Sequence, residues 1–473
     1  MDMVPVIGFA PDKDPTTPGA LIDCNGIVPT VRGVAQLGGR FTIAGGSVPA
    51  GTVRGGFSAD LLDGSNVFYA GTTAKLYQRT SGAWFDVSRG GGYTLGTDDL
   101  WTFCQFGNDT LAANLTCKIQ RYSGGSFADI ADAPQAKTIV SASGFVVAFN
   151  TIDATYGTST DRWWCSAHDD ATSWTPSLST EATTGRLIDK PGPLVAAAAL
   201  GDQIVAYKAS GLWVGQYVGS PAVWQWNHYP GTVGVVGPNA VANAEFAHFF
   251  ASRDDIYLFD GTRPVSVADG FVRQYYRDNL STVNSYKTIV RYEKPSNLLW
   301  VIFPLSSAPT TYIGLVYHVG SKRWGKVVFD SYSILTAFDF KEPGSTLDSK
   351  VIGYADSAGN LYRINDKQFP WGDSSVTLNM VGADDSVSRL SRVYTSFTSV
   401  QNTTNATTYK QDFRHSTPSL VNSAVAYSNG KYDVQQSARW HRVQINMVNS
   451  GSLTGGVTEL TGFGFDLKPA GQR

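Results

Sequence analysis

A chain of 473 residues is longer than one ordinary compact core supports, so it must either divide into domains or close a large repeat architecture. Its 37 Lys and Arg against 39 Asp and Glu give a formal charge of -2, without the basic excess by which proteins grip a nucleic-acid backbone. Charged residues are 16% of the chain, below the roughly 25% of average globular sequences, while 49 Gly, 12 Trp, 22 Tyr and 24 Phe give a turn-rich, aromatic-rich β profile with little room for helix.

The opening stretch MDMVPVIGFAPDKDP carries Asp2 where a secretory leader wants positive charge, and Pro5 and Pro11 interrupt its apolar residues. The longest apolar run, Leu194 to Leu200, is far short of the roughly 20 residues that cross a bilayer. The expectation is a soluble protein without a leader, whose residues 1–26 form an N-terminal arm or closing segment.

From about residue 27, short alternating or β-branched and aromatic runs are separated by Gly, Asp, Asn or Ser clusters, and a longer period lies over them. Residues 66–89 read as strand, turn, KLYQR strand, Ser-Gly turn and strand; residues 101–130 repeat the pattern, with Tyr122 and Phe127 flanking the turn as Tyr77 and Trp84 do before. A third unit runs through SGFVVAFN and DRWWCSA to Trp174, and a fourth from DQIVAYKASGLWVGQYVG to WQWNHYP. In the fifth, 247–267, Asp260-Gly261 between apolar strands is a strong hairpin signal. A sixth covers 287–329 and a seventh contains KVIGYADSAGNLYRI. Units of roughly 50 residues suit the blades of a β-propeller, in which no small sheet buries both faces until its neighbours stack beside it.

The predicted fold is therefore all-β: a β-propeller of six or seven blades over 27–370, then a C-terminal β module or ring-closing sheet over 371–473. The one short helix is expected in Gly270 to Leu280, where Phe271, Tyr275 and Tyr276 would share a face. The polar run NTTNATT, 402–408, reads as an exposed loop.

Chemistry is sparse. His168, His228, His248, His318, His415 and His441 show no paired zinc-ligand spacing, and no nucleophile elbow or phosphate-cradling glycine loop is present. Cys24, Cys104, Cys117 and Cys165 lack CxxC spacing and read as buried thiols. Because propellers host glycosidases, paired acids were weighed as a retaining pair: Asp98 with Asp99, Asp169 with Asp170, and Asp254 with Asp255. All lie in predicted turns, where Asp is favoured for bonding nearby amides, and SAHDDATSW, 166–174, has neither the glycine nor the spacing of a sialidase Asp box. The reading is a non-enzyme with no catalytic, cofactor-binding or metal-binding residues and no cofactor; a carbohydrate-binding or glycoside-hydrolysing propeller is the alternative.

Over about 140–370 the chain resembles the tail nozzle proteins of short-tailed bacteriophages, also called tail tubular protein B or packaged-DNA stabilization proteins. The resemblance rests on the order of DKPGPLVAAAALGDQIVAYKASGLWVG, the glycine-rich GTVGVVGPNAV, AHFFASRDDIYLFDGTRPVSV, YEKPSNLLWVIFP and LVYHVGSKRW, with ARWHRVQIN and GFGFDLKPAGQR matching the family's ending in style. It implies a homohexameric ring in the virion tail, mounted below portal and adaptor and beside tail fibre or tailspike proteins. Its central channel would retain packaged double-stranded DNA and later release it without sequence-specific binding. The family brings no catalytic residue.

Overall fold

The computed structural model describes every residue except 1–2, 44–47, 49, 81, 309, 330–333, 345–349, 357–358, 371, 400–402, 449–456 and 472–473. Seven four-stranded antiparallel sheets make a β-propeller, so the blade number is seven. Blades one to six occupy 53–86, 102–129, 135–186, 196–228, 241–266 and 289–329. Blade seven combines Ile334–Phe340, Val351–Asp356 and Leu361–Pro370 with Gly38–Thr42, an early strand that becomes its outer edge. Within each blade the first strand is innermost, and these strands contact one another around the axis.

Blade six shows why the aromatic and β-branched repeats specify this arrangement. Its two central strands, Leu298–Pro304 and Tyr312–His318, are buried at every position, because each face packs on a neighbouring blade. Continuous apolar strands flanked by polar turns are what such two-sided burial requires. Edge protection comes from closure, and blade seven is sealed by pairing of Arg363 with Phe41 and Tyr362 with Thr42.

Closure between blades seven and one also uses a buried charge. Arg79 of blade one is fully buried, and its Nε and Nη2 donate to Glu342 Oε1, at 3.2 and 2.8 Å, in the turn after the inner strand of blade seven. Its Nη1 donates to the Gly82 carbonyl at 3.4 Å, and the guanidinium faces the Trp84 ring.

The remaining strands form one thirteen-stranded, nearly closed barrel-like sheet. It takes Val4–Pro5, Gly8–Phe9, Ala20–Asn25, Ile27–Pro29 and Val34–Gln36 from the beginning of the chain and eight strands between Ser374 and Gly471 from its end. Residues 27–36, expected in the propeller, thus belong to the second sheet, and the propeller begins with Gly38–Thr42. The apolar run Ile27–Pro29 pairs with Val34–Gln36 and packs on blade six, which buries it better than a rim position would. The expected boundary residue Trp371 lies outside the described residues.

The run expected to be a loop also differs: Asn402 is outside the described residues, but Thr403–Gln411 is an interior strand. Ala406 and Thr408 are buried, and Asn446 Nδ2 donates to Asn405 Oδ1 and Thr407 Oγ1 at 2.9 and 3.0 Å. Threonine is β-branched, and cross-strand amide and hydroxyl pairs satisfy the polar groups that suggested solvent.

The two ends of the barrel-like sheet, Gly8–Phe9 and Ile27–Pro29, meet over the outer strand of blade six, Arg323–Phe329. Trp324 is fully buried there in a core shared with Phe9, Leu21, Val443 and Phe463, so the two units are fused. Arg323 Nε donates to the Val6 carbonyl at 3.0 Å, the Val328 amide donates to Asn25 Oδ1 at 2.9 Å, and Lys326 pairs with Asp23. The helix is Arg273–Asn279, with Tyr276 buried and Asp12 of the N-terminal segment accepting the amides of Gln274 and Tyr275 at 2.6 and 3.0 Å.

Two substitutions test these seams. A Cβ on Gly325 would stand 2.3 Å from the Ile27 carbonyl oxygen, so Gly325→Ala should cost about 1–3 kcal/mol in equilibrium unfolding and hasten proteolysis between the units. Glu342→Gln should lower stability by about 1–3 kcal/mol, because it leaves the buried Arg79 guanidinium without its anion. Unchanged unfolding midpoints in both variants would refute these assignments.

Candidate functional site

The propeller axis is where all seven blades converge, and it holds the fold's most varied set of polar groups. Its geometry depends on the glycine-rich linker between blades four and five. A Cβ on Gly234 would stand 2.1 Å from the Lys208 carbonyl oxygen, and one on Gly237 would stand 2.0 Å from that of Tyr286. Only glycine allows this backbone-on-backbone approach, which carries Pro238 and Asn239 to the axis.

There Arg291, on the inner strand of blade six, ties that blade to blade seven and to the linker that precedes blade five. Its Nε donates to the Ala337 carbonyl of blade seven at 3.0 Å, and its Nη1 to the Val290 carbonyl of blade six at 2.7 Å. Nη1 and Nη2 also donate to the Asn239 carbonyl and Oδ1 at 3.4 and 3.3 Å. Burial pulls the Arg291 pKa down, opposed by the nearby Asp339 carboxylate. Asp339 touches channel solvent yet is enclosed by inner strands; desolvation raises its carboxyl pKa, against the opposing pull of Arg291 and Lys350. Lys350 Nζ donates to the Ser58 carbonyl at 3.0 Å and lies 2.8 Å from Asp60 Oδ2.

The cavity lined by these groups measures about 250 Å³, and further cavities of about 150 and about 50 Å³ share Pro238 and Asn239 with it. Such spaces admit waters or a small molecule, but not a nucleic-acid duplex. The inner-strand residues Arg291, Asp339 and Arg54 were not singled out in the sequence; their one available signal is a charge set inside an otherwise apolar strand, as in IVRYE or ILTAFDF.

Five of the six paired acids, Asp98, Asp99, Asp169, Asp170 and Asp255, are engaged locally. Asp98 accepts the Tyr286 hydroxyl at 3.0 Å and lies 3.4 Å from Lys287 Nζ at one axial mouth, while Asp99 accepts the Gly96 amide at 2.8 Å. Asp170 accepts the Thr172 amide and hydroxyl at 2.8 and 2.6 Å, and Asp169 sits 3.2 Å from His168 Nδ1. Those turns wrap Trp174, whose indole fills the core between blades two and three and donates to the Ala171 carbonyl at 2.9 Å. Asp255 is buried, accepts Ser266 Oγ at 3.0 Å and lies 3.2 Å from Arg273 Nε; desolvation raises its pKa although that guanidinium opposes the rise. Among the described residues no carboxylate of one pair shares a hydrogen-bond partner with a carboxylate of another, so the hydrogen bonds join no two pairs around a common point.

All four cysteines are buried free thiols, and desolvation pushes Cys24, Cys104 and Cys165 up to about 12, which makes them poor nucleophiles. Among the described residues no group of three or more His, Cys, Asp or Glu could hold a metal ion, and no helix is long and apolar enough to cross a membrane.

No family model matches the chain, and no curated protein matches it. Among solved structures, BBS1N in complex with ARL6DN is similar with a TM-score of 0.43 and 11% identity, over 72% of this chain and 97% of that one. The computationally designed Ika8 protein is similar with a TM-score of 0.37 and 9% identity, over 68% of this chain and 98% of that one.

Two histidines set a pH dependence of the scaffold. The Ala199 carbonyl can only accept, so His248 Nε2 carries the proton, donating at 2.8 Å, and Nδ1 accepts the Tyr207 hydroxyl at 2.8 Å. His441 Nδ1 accepts the Gln436 amide at 2.8 Å, and its Nε2 lies 3.0 Å from Ser388 Oγ. Burial lowers both to about 4, so the unfolded chain binds their protons first as pH falls. Their stabilising contribution, up to about 3 kcal/mol each, is complete above about pH 6.5 and is lost between there and about pH 4. Asp255 acts in the opposite sense, its raised pKa favouring the fold at lower pH. The double variant His248→Gln/His441→Gln should therefore show a flatter stability profile than the parent between pH 6.5 and 5, measured by chemical denaturation; an equal slope would refute it.

Proposed function

We propose that the chain is a structural component of a short-tailed phage tail, a nozzle or hub subunit that acts in the virion as part of a ring. The observation that carries this reading is the spatial contiguity of the segments that resemble the nozzle family. DKPGPLVAAAALGDQIVAYKASGLWVG, AHFFASRDDIYLFDGTRPVSV and YEKPSNLLWVIFP with LVYHVGSKRW contribute to the consecutive blades four, five and six, and GTVGVVGPNAV is the linker between the first two. ARWHRVQIN and GFGFDLKPAGQR supply strands Trp440–Val448 and Glu459–Gly471 of the sheet docked on blade six. The resemblance therefore traces one contiguous half of the molecule rather than scattered strands.

The packing fits such a role. The closed propeller and the nearly closed barrel-like sheet share one core, which gives the stiffness that a pressurised tail demands. Because the spaces along the propeller axis are too small for a duplex, a DNA conduit has to be formed between copies, six in the ring that the resemblance implies, and the formal charge of -2 suits a wall past which a polyanion slides without being held.

The test is electron microscopy of the purified chain mixed with the head–tail adaptor encoded in the same genome. A sixfold ring seated on the adaptor, with a central hole wide enough for duplex DNA, is expected. Persistent monomers that ignore the adaptor would overturn the proposal, as would turnover of chromogenic glycosides that is lost in Asp169→Asn or Asp255→Asn.

A further inference from the structure

The axial mouth on the side of the blade-to-blade linkers holds two cations that no carboxylate pairs with among the described residues. Arg54, on the inner strand Val53–Asp60 of blade one, lines the cavity of about 150 Å³ there. Its Nε is buried with no hydrogen-bond partner, and no carboxylate pairs with it among the described residues. Lys137, on the inner strand Gln135–Ala142 of blade three, lines the adjoining cavity of about 50 Å³ and likewise has no ion-pair partner among the described residues. The two cavities share Asp98, Leu100, Pro238 and Asn239, so they open around one point of the axis.

The acids at this mouth are already engaged. Asp98 is held by the Tyr286 hydroxyl at 3.0 Å and by Lys287 Nζ at 3.4 Å, and Asp99 by the Gly96 amide at 2.8 Å. What remains is a guanidinium with an unsatisfied buried N–H and an ammonium across the same narrow opening. Leaving a charged donor buried and unpaired is costly, and a guanidinium fork matches the oxygens of carboxylate and phosphate. The space is below the roughly 300–1,000 Å³ of pockets for drug-sized ligands, which limits the occupant to a small one.

We propose that this axial mouth is a binding site for a small oxyanion, a phosphate or carboxylate group, with Arg54 as its main anchor and Lys137 as the second cation. The site adds a ligand-binding property to the scaffold and does not rest on assembly into a ring; failure of the chain to form rings would leave it standing.

Isothermal titration of the full chain with inorganic phosphate and with acetate, at fixed ionic strength, tests it and separates the two sources of the oxyanion. Saturable binding of one anion per chain is expected for at least one probe, weakened at least fivefold in Arg54→Gln and in Lys137→Gln and unchanged in Lys410→Gln, which removes an exposed lysine of the barrel-like sheet. Absence of saturable binding of both anions by the parent chain would overturn the proposal, as would equal affinity in all three variants. Thermal unfolding accompanies each titration; if Arg54→Gln does not fold, Lys137→Gln decides the matter.

Discussion

Two crossings of the chain between its two β units set the constraint on which the structure depends. Strand Val34–Gln36 of the barrel-like sheet runs, after one residue, into Gly38–Thr42 at the rim of blade seven, and Leu361–Pro370 leads back toward Ser374. The same pairing that closes the propeller therefore anchors the second sheet beside it. Neither unit has a complete hydrogen-bond ladder without strands from both ends of the sequence. The apolar seam over Trp324 then joins the doubly tethered units through one core.

That joining is reflected in the distribution of polar groups. Blade interfaces are apolar and aromatic, and several enclosed charges of the propeller sit where neighbouring elements meet: Arg79 against Glu342 between blades one and seven, Lys208 Nζ on the Leu187 and Lys190 carbonyls, and the half-buried Arg291 between blades six and seven. A buried cation satisfied by fixed acceptors fixes geometry more than it adds stability. Seven near-equivalent blades have seven near-equivalent ways to slip, and such pins distinguish the correct registry.

The blades were legible because their middle strands alternate or run continuously apolar and their turns carry Gly, Asp and Ser, as in IYLF followed by Asp260-Gly261. Several innermost strands were not, for a steric reason. Close packing at the axis puts small residues in their repeats: a Cβ on Gly56 would stand 2.7 Å from the Phe338 ring, and Ala196–Leu200 is four alanines and a leucine. Their charged residues, Arg54, Arg291 and Asp339 among them, resemble ordinary surface polarity until the ring closes around them. The assignment of 27–36 to the second sheet was hidden too, since a three-residue run such as Ile27–Pro29 suits either a blade or a barrel, and only its long-range partners decide. Thr403–Gln411 misled because threonine and asparagine signal a loop unless a neighbouring strand offers a matching ladder.

The route of the chain has a temporal side. Gly38–Thr42 leaves the ribosome early, and its partner Leu361–Pro370 follows more than 300 residues later. The N-terminal strands wait longer still, since Val34–Gln36 pairs with Glu459–Gly471 near the far end of the sequence. Any prematurely ended product keeps those early strands as open edges, with the unsatisfied amides and carbonyls that template aggregation. The two β units thus stay open until Leu361–Pro370 and Glu459–Gly471 have been made, and these late strands act as a latch on the segments made before them.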